Sequence, residues 1–476
     1  MGRLSRLAVA ATALLCVFTI GAGVAVARML PPRLALWRAA SIAPAPLAGS
    51  VSALSAATGQ ISGPPPGVTM SGLSSTLTPL LSSGALGSSV GALVTDLTTG
   101  QVLYSLNSAT GYTPASTTKL ATSVAALQVL GANARFRTTV VTGRTASSIV
   151  LVGGGDPTLA AARPPATDYP QPATLQALAR QAAAALRGRG LNSVRLGYDA
   201  SLYTGPGFGP GWSADDASTG NVTDITPLEV DQGRLTPSGQ PEDADDPGNF
   251  RPRSTDPAQQ AAAAFAAFLR ADGVKVRGVP APVPAKAGAT TLATVSSPPL
   301  SQIIQWMLLE SNNVIAENLA RHIALATGAQ PSFVGAAGAE TSVLRRLGVT
   351  GVQISDGSGL SHDNRITPAA LVQLVGLAAS RPALRSVLTG LPVYGFSGTL
   401  ADSPGSIFYG AAGPALGTVR AKTGNLDTQI ALAGVAYAKD GQLLSFAVMA
   451  DKLKSLPAAG GALASVANAL AGCGCR

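Results

Sequence analysis

Hydrophobic and polar residues alternate in two pairs of short segments, one pair near each end of the folded part of the chain. The first pair covers residues 91–97 and 101–107, and the second covers 429–438 and 443–450. Alternation with a period of two predicts strands, and the short glycine-containing turns between the segments predict two hairpins. Helical patterns lie between the hairpins and after them, at residues 458–470. We therefore predict an α+β fold with a largely antiparallel sheet covered by helices.

A helix is also predicted just after the first hairpin. Leu120, Val124 and Leu127 recur at helical spacing, and Gly131 ends the run. These positions predict a helix that begins close to Ser116.

The stretch between this helix and residue 296 is too long for a loop inside a compact domain. We predict that residues 145–295 form an inserted domain, which interrupts a first domain made of residues 74–144 and 296–476. The patterns within the insertion predict helices at 173–186 and 259–269 and a strand at 193–198, and the acidic segment 242–246 is predicted to be an exposed loop.

The N-terminal segment predicts export. Within residues 1–27, Arg3 and Arg6 precede an unbroken apolar run at 7–27, which is typical of a secretory signal peptide and, at about 20 residues, also long enough to cross a bilayer. We therefore expect a protein of the cell envelope, periplasmic or on the outer face of the cytoplasmic membrane. It would be either secreted or anchored through residues 7–27. Residues 28–73 are rich in Pro, Ala, Gly and Ser, which predicts a linker.

Composition narrows the function classes. The net charge of +9 over 476 residues either favours an anionic envelope polymer or reflects an arginine-rich composition without a binding role. Basic residues do not cluster with aromatic ones, so we predict no nucleic-acid binding. His322 and His362 are the only histidines, too few for a three-histidine zinc site, and we predict no metal and no cofactor. Cys473 and Cys475 lie at an end that we expect to be frayed. The pattern favours neither pairing nor metal binding, and the sequence leaves the state of these cysteines open.

Ser116 and Lys119 form the first candidate for chemistry. Residues three apart on a helix share one face, with Cβ atoms about 5–6 Å apart, so the amine can hydrogen-bond the hydroxyl. A neutral lysine can then take the serine proton and activate the oxygen as a nucleophile. Lysine is rare in this chain, and Lys119 is the only lysine with a serine three residues before it.

Two further segments follow in order, Ser311-Asn312-Asn313 and Lys422-Thr423-Gly424. The second opens the C-terminal hairpin, so we expect it along the sheet edge, facing the helix of Ser116. The Lys422 ammonium is expected to lower the pKa of Lys119 by like-charge repulsion. Three motifs in this order predict an active site.

With these motifs the chain resembles the class C low-molecular-mass penicillin-binding proteins, which are serine D-alanyl-D-alanine carboxypeptidases and endopeptidases. Residues 151–159, 309–317 and 356–365 are also similar to segments of that family, and the resemblance spans about residues 75–470. It implies a fold like that of serine β-lactamases and DD-peptidases, with a large inserted second domain. The implied partners are peptidoglycan stem peptides and β-lactam antibiotics, the latter covalently bound at Ser116.

The resemblance also implies the catalytic roles. Ser116 would attack the substrate carbonyl and form an acyl-enzyme, Lys119 would accept its proton, and Ser311 would pass a proton to the leaving amine. The backbone N–H groups of Ser116 and Asn425 would form the oxyanion hole.

The remaining motif residues are implied to bind the substrate. Asn313 would hydrogen-bond its backbone, Lys422 and Thr423 would bind its terminal carboxylate, and Gly424 would let it lie flat against the strand.

Two other functions remain open. A serine β-lactamase would need a dedicated deacylating carboxylate, and no Glu-x-x-Leu-Asn segment follows Ser311. A non-catalytic peptidoglycan-binding scaffold would not need Ser116 and Lys119. The sequence leaves the balance between carboxypeptidase and endopeptidase open.

Overall fold

The computed structural model describes residues 67–235, 251–403, 406–408, 410 and 412–475. The predictions for residues 1–27, for nearly all of 28–73 and for the acidic loop at 242–246 lie outside these residues. Within them, no helix is both long enough and apolar enough to span a bilayer.

The strands in chain order are β1 (Ser89–Asp96), β2 (Val102–Leu106), β3 (Arg137–Thr142), β4 (Ser148–Val152), β5 (Ser193–Asp199), β6 (Lys275–Pro282), β7 (Thr291–Ser296), β8 (Val352–Gln353), β9 (Arg365–Ile366), β10 (Val419–Leu426), β11 (Gln429–Tyr437) and β12 (Leu443–Asp451). The α-helices are α1 (Met70–Leu81), α2 (Thr118–Leu130), α3 (Leu175–Gly188), α4 (Pro257–Ala271), α5 (Leu300–Glu310), α6 (Asn313–Thr327), α7 (Phe333–Arg346), α8 (Pro368–Ser380), α9 (Arg385–Thr389) and α10 (Leu456–Gly472).

The first sheet has five strands in the order β10-β11-β12-β1-β2, and all neighbouring strands are antiparallel. Successive side chains point to opposite faces, so the sheet carries a separate core on each face. Leu93 and Met449 belong to the core that includes α2 and α8, whereas Val94 and Val448 belong to the core that includes α1 and α10. The prediction of a largely antiparallel sheet covered by helices is confirmed.

The second sheet, ordered β6-β5-β4-β3-β7, comes from the predicted insertion except for β3, which lies entirely before residue 145. It is mixed rather than antiparallel, since β4, β5 and β6 run parallel while β3 pairs antiparallel with β4 and β7. Helices α3 and α4 supply the connections that parallel strands require, and they share a core with this sheet. Strand β3 begins ahead of the predicted domain start at 145, just as α1 begins ahead of the predicted start at 74.

Residues 200–235 leave the second sheet as a series of turns. Trp212, Val222 and Ile225 pack in a small core with Val314 and Phe333, which lie on α6 and α7. The insertion therefore contacts the helices that follow it in sequence.

The C-terminal end corrects the sequence analysis. Cys473 and Cys475, expected at a frayed end where pairing was not favoured, are joined by a disulfide, and Cys473 is buried. The backbone N–H of Thr69 donates to the carbonyl of Cys475 at 2.8 Å. The terminus is ordered because α10 and α1 pack together on one face of the first sheet.

Candidate active site

Ser116 lies in a 3₁₀ turn, Ala115–Thr117, that leads into α2. Ala115 has a φ of 46°, a left-handed conformation that costs a residue with a Cβ about 1 kcal/mol or more. The Thr117 and Thr118 hydroxyls donate to the carbonyls of Pro114 and Ala115 at 2.6 and 2.8 Å and help to fix this turn. The serine is partly exposed while its neighbours are buried. The turn therefore leaves the Ser116 side chain partly exposed to solvent while the residues beside it are buried.

Lys119 is fully buried one turn later, and its Nζ contacts three oxygens. These are Ser116 Oγ at 3.0 Å, Asn313 Oδ1 at 2.7 Å and the Ser358 carbonyl at 2.8 Å. A neutral amine has two N–H donors and one lone pair, so it can donate to Asn313 and Ser358 while accepting the serine proton. The arrangement fits a general base.

Burial lowers the pKa of Lys119 to about 7, and the carboxylates of Asp356 and Glu317 act in the opposite direction. This corrects the expectation that repulsion from Lys422 is the cause. The repulsion is seen instead in the pKa of Lys422, which burial first and the Lys119 charge second hold well below its ordinary value. The two amines thus disfavour each other's protonation.

Ser311 lies between α5 and α6 with a φ of 57°, which turns the chain so that its hydroxyl faces the first sheet. Lys422 Nζ donates to Ser311 Oγ at 2.9 Å and to the carbonyl of Thr423 at 2.9 Å. Because the oxygen of Ser311 accepts from the lysine, its own hydrogen is free to point elsewhere. Ser116 with Lys119 and Ser311 with Lys422 form two hydroxyl–amine pairs.

Asn313 connects the first pair to the insertion. Its Oδ1 accepts from Lys119, and its Nδ2 donates to the carbonyl of Asn221 at 2.9 Å. Both ends of the amide therefore bond to the protein. One N–H donor and one lone pair remain, and the predicted contact with a substrate backbone stays a prediction. The insertion orients a group that holds the buried lysine.

Strand β10 is the edge of the first sheet and carries the Lys-Thr-Gly motif, as predicted. Its outer side is already paired at one end, where Ala421 N donates to the carbonyl of Pro392 and the Val419 carbonyl accepts from Tyr394 N. Since backbone direction alternates with a period of two, the peptide groups of Thr423 and Asn425 face the same outer side. Beyond Ala421, the hydrogen bond that the described residues make on this outer side is the one from Lys422 Nζ to the Thr423 carbonyl.

Gly424 has a packing role that the sequence did not predict. A Cβ on this residue would lie 2.6 Å from the carbonyl oxygen of Pro114 and 3.1 Å from the backbone nitrogen of Ser116. Glycine is needed here because the strand packs directly against the serine turn. The predicted contact of Gly424 with a substrate stays a prediction.

Buried carboxyl groups support the loop that receives the Lys119 hydrogen bond. Glu317 accepts from the backbone N–H of Ser358 at 2.8 Å, and burial and the nearby Asp356 charge raise the pKa of Glu317 to about 7. Burial also raises the pKa of Glu340 well above its ordinary value. A protonated Glu340 can donate to the Thr122 hydroxyl, 3.0 Å away, leaving that hydroxyl to donate to the loop.

Three residues of this arrangement were missed in the sequence. Trp212 Nε1 donates to Asp356 Oδ2 at 2.7 Å, and Thr399 Oγ1 lies 2.7 Å from Thr423 Oγ1. Tryptophan is rare in this chain, a weak signal for Trp212, whereas no pattern marks Thr399. Glu317 lies four residues after Asn313 on the same helix, which is the spacing that could have found it.

A partly exposed serine bonded to a buried lysine of lowered pKa defines a serine hydrolase that uses an amine as its base. Comparison with known proteins gives the family. The chain belongs to the D-Ala-D-Ala carboxypeptidase 3 (S13) family, whose model matches residues 73–252 and 241–469. The predicted family and the predicted enzyme class, a D-Ala-D-Ala carboxypeptidase, are therefore confirmed.

Curated relatives cover most of the chain. It is 37% identical over 422 residues to carboxypeptidase DacB of Mycolicibacterium smegmatis, covering 87% of this chain and 86% of the relative. It is 31% identical over 433 residues to a D-alanyl-D-alanine carboxypeptidase of Actinomadura sp. strain R39, covering 74% and 76%. The crystal structure of penicillin binding protein 4 (dacB) from Haemophilus influenzae superposes with a TM-score of 0.66 at 21% identity, over 84% of this chain and 100% of that one. This likeness supports the fold, including a second domain.

Proposed function

We propose that this carboxypeptidase removes the terminal D-alanine from peptidoglycan stem peptides through an acyl-enzyme on Ser116. The observation that carries the proposal is the 3.0 Å hydrogen bond between Ser116 Oγ and Lys119 Nζ, together with a pKa of Lys119 of about 7. Near neutral pH a large share of this amine is uncharged and can accept a proton, which an ordinary lysine cannot do.

Acylation begins when Ser116 Oγ attacks the carbonyl carbon of the D-Ala–D-Ala bond and its proton moves to Lys119 Nζ. The C–N bond then breaks, and the leaving amine takes a proton from the Ser311 hydroxyl. Lys422 replaces that proton, since its Nζ already donates to Ser311 Oγ at 2.9 Å. At this stage Lys119 has gained one proton and Lys422 has lost one.

Deacylation reverses both transfers. Water attacks the acyl carbon and gives its proton through Ser311 to the now neutral Lys422. The ester C–O bond breaks, and Ser116 Oγ recovers its proton from Lys119. Mutual repulsion of the two ammonium groups favours states in which only one of them is charged, which is what each step of this cycle requires.

The substrate would lie along the outer edge of β10 as an added strand. Peptide groups of Thr423 and Asn425 on that edge supply main-chain hydrogen bonds, as in other cases of strand addition. The hydroxyls of Thr423 and Thr399, 2.7 Å apart, and the Lys422 ammonium would bind the terminal carboxylate. The N–H groups of Ser116 and Asn425 would receive the oxyanion, each worth about 3 kcal/mol in a comparable site.

The same groove would accept a β-lactam, whose ring carbonyl would acylate Ser116. The test is labelling with a fluorescent penicillin, in which wild type forms a stable adduct and Ser116→Ala forms none, while the exposed Ser105→Ala remains a matched control that labels normally. Equal labelling of Ser116→Ala would refute the nucleophile. Fast loss of the label with drug hydrolysis would indicate a β-lactamase. Absence of labelling in wild type and in both variants would indicate a scaffold.

Peptide substrates separate the two peptidase activities. Release of D-alanine from a stem pentapeptide measures carboxypeptidase action, and cleavage of cross-linked dimers measures endopeptidase action. We expect D-alanine release by wild type and Ser105→Ala and none by Ser116→Ala. An unchanged rate in Ser116→Ala would contradict the proposed mechanism.

We also propose that the protein acts outside the cytoplasm, because residues 1–27 have the pattern of a signal peptide or anchor. Fractionation of cells with N-terminal sequencing of the product tests this. A cytosolic protein that keeps its first residues would contradict it.

A further inference from the structure

Residues 231–233 form a buried left-handed turn in the insertion. Asp231, Gln232 and Gly233 have φ values of 50°, 56° and 67°. Two of these residues carry a Cβ, and for each of them this conformation costs about 1 kcal/mol or more. The carbonyl of Gln232 accepts from Arg253 Nη1 at 2.8 Å, and the carbonyl of Gly233 accepts from the backbone N–H of Ser254 at 2.7 Å. A strained turn that is held from several sides points to a function for the side chain that it presents.

The side chain of Gln232 reaches the residue that follows Ser311. It is only 1% exposed, and its Oε1 accepts from Asn312 Nδ2 at 2.5 Å and from Arg234 Nη1 at 2.7 Å. A guanidinium can only donate, so it fixes the oxygen of the Gln232 amide in this place, and this oxygen in turn requires the NH₂ group of Asn312. Asn312 Oδ1 then accepts from the backbone N–H of Ile315 at 3.0 Å and caps α6. Both ends of the Asn312 amide are therefore fixed, one of them by the insertion.

The placement of Asn312 constrains the backbone of Ser311, because the two residues share a peptide group. Ser311 has a φ of 57°, a conformation that a residue with a Cβ rarely adopts unaided, and its Oγ accepts from Lys422 Nζ at 2.9 Å. Asn313, on the other side of Asn312, is held by the insertion through a separate hydrogen bond. Loss of the Gln232 contact should therefore disturb Ser311 more than Asn313.

We propose that Gln232 is a positioning residue for catalysis, which acts through Asn312 to hold the Ser311 hydroxyl where it can pass its proton to the leaving amine. This inference rests on the proposed function, in which Ser311 is that proton donor. Removal of the Gln232 acceptor slows the breakage of bonds whose leaving group needs a proton, and it spares the attack by Ser116.

Two substrates with the same acyl group separate these roles. In a D-Ala–D-Ala peptide the C–N bond breaks, and the leaving amine must take a proton. In the analogue with thioglycolate as the leaving group the C–S bond breaks, and the thiolate departs with the electron pair and needs no proton, because a thiol is a far stronger acid than an amine. Release of the leaving group in a single turnover measures acylation by each substrate without the deacylation step.

Gln232→Met keeps the length of the side chain and removes its acceptor. We expect it to slow acylation by the peptide about tenfold to a hundredfold and acylation by the thioester by less than about threefold. A general disturbance of the fold would slow both reactions alike. Equal slowing of the two substrates, or the wild-type rate with both, would overturn the proposal.

Two further variants of glutamine serve as controls. Gln232→Glu keeps an oxygen that can accept from both donors, so its rate with the peptide should lie within about threefold of wild type. Gln181→Met changes an exposed glutamine of α3 and should act as wild type does on both substrates. A peptide rate for Gln232→Glu as low as that of Gln232→Met would overturn the role of the acceptor.

Asn312→Ser tests the same contact from its other side and decides the matter if Gln232→Met does not fold. Serine caps a helix about as well as asparagine but is too short to reach Gln232, so the same difference between the two substrates is expected. In the double variant the peptide rate should be no lower than in the slower single variant, because both changes remove one contact. Losses that multiply in the double variant, or equal effects of Asn312→Ser on the two substrates, would overturn the proposal.

Ser311→Ala distinguishes a failure of this inference from a failure of the proposed function. It should slow the peptide more than the thioester, and at least as much as Gln232→Met does. If Ser311→Ala shows this difference and Gln232→Met does not, the positioning role alone is refuted. If Ser311→Ala slows both substrates equally, Ser311 is not the proton donor, and the proposed proton path is refuted together with the role of Gln232.

Discussion

Substitution of Gly424 by alanine tests how closely the strand edge and the nucleophile are coupled. The added Cβ would lie 2.6 Å from the carbonyl oxygen of Pro114, 3.0 Å from Thr117 N and 3.1 Å from Ser116 N. All three atoms are backbone, so no flexible side chain can move away. Either β10 or the serine turn must shift by about 1 Å to restore an ordinary contact.

The expected loss of acylation rate follows from which groups this shift would move apart. The N–H groups of Ser116 and Asn425, one on each side of this contact, would form the oxyanion hole. A misplacement of about 1 Å lowers a rate by about a hundredfold, and loss of one oxyanion donor lowers it by about a hundredfold to a thousandfold. We expect acylation of Gly424→Ala to be slower by at least about a hundredfold, or about 2.7 kcal/mol in activation free energy.

Stopped-flow acylation by a fluorescent penicillin measures this rate directly, and D-alanine release from a stem pentapeptide gives a second measurement. Arg420→Ala is the control, since Arg420 is exposed on the same strand. Far-UV circular dichroism checks that both variants fold. A folded Gly424→Ala that acylates within about threefold of wild type would show that the contact does not position the oxyanion hole.

Three further outcomes are expected. The acylation rate should fall about tenfold per pH unit below pH 7, because protonated Lys119 cannot accept the serine proton, and a flat profile down to pH 5 would refute its role as base. Trp212→Phe should lower the free energy of unfolding in urea by about 1.5–3 kcal/mol, because it removes a donor from buried Asp356. Trp306→Phe is the control, since it removes no hydrogen bond recorded in the described chain. Equal losses of stability in the two variants would contradict this reasoning. Thr399→Val should raise KM for the pentapeptide about tenfold while the protein stays folded, and an unchanged KM would remove Thr399 from carboxylate binding.

The sequence was sufficient to predict those parts of the active site that depend on local spacing or on chain order. Ser116 and Lys119 lie one helical turn apart, so their contact could be predicted from the helix alone. The Lys-Thr-Gly strand could be placed at a sheet edge because it opens the C-terminal hairpin. Those two placements, with Ser311 between them in sequence, were enough to predict the family.

Quantities that depend on packing could not be predicted in this way. Nothing in the pattern around Lys119 shows that it is fully buried, yet burial is the main reason why its pKa falls to about 7. The packing role of Gly424 could not be predicted because the approach of Pro114 comes from a distant segment. The pairing of Cys473 with Cys475 likewise depends on the docking of α10 beside α1, which no local signal reports.

The sequence assigned no role to the inserted segment, and its hydrogen bonds indicate one. The carbonyl of Asn221 fixes which end of the Asn313 amide faces Lys119, and the indole of Trp212 holds Asp356, whose charge acts on the same lysine. If Asn313 were rotated by half a turn, its NH₂ group would face the Lys119 amine, and the hydrogen bond would be lost. The insertion therefore helps to determine the protonation and direction of the catalytic base, so changes in this segment should alter the pH profile of acylation as well as stability.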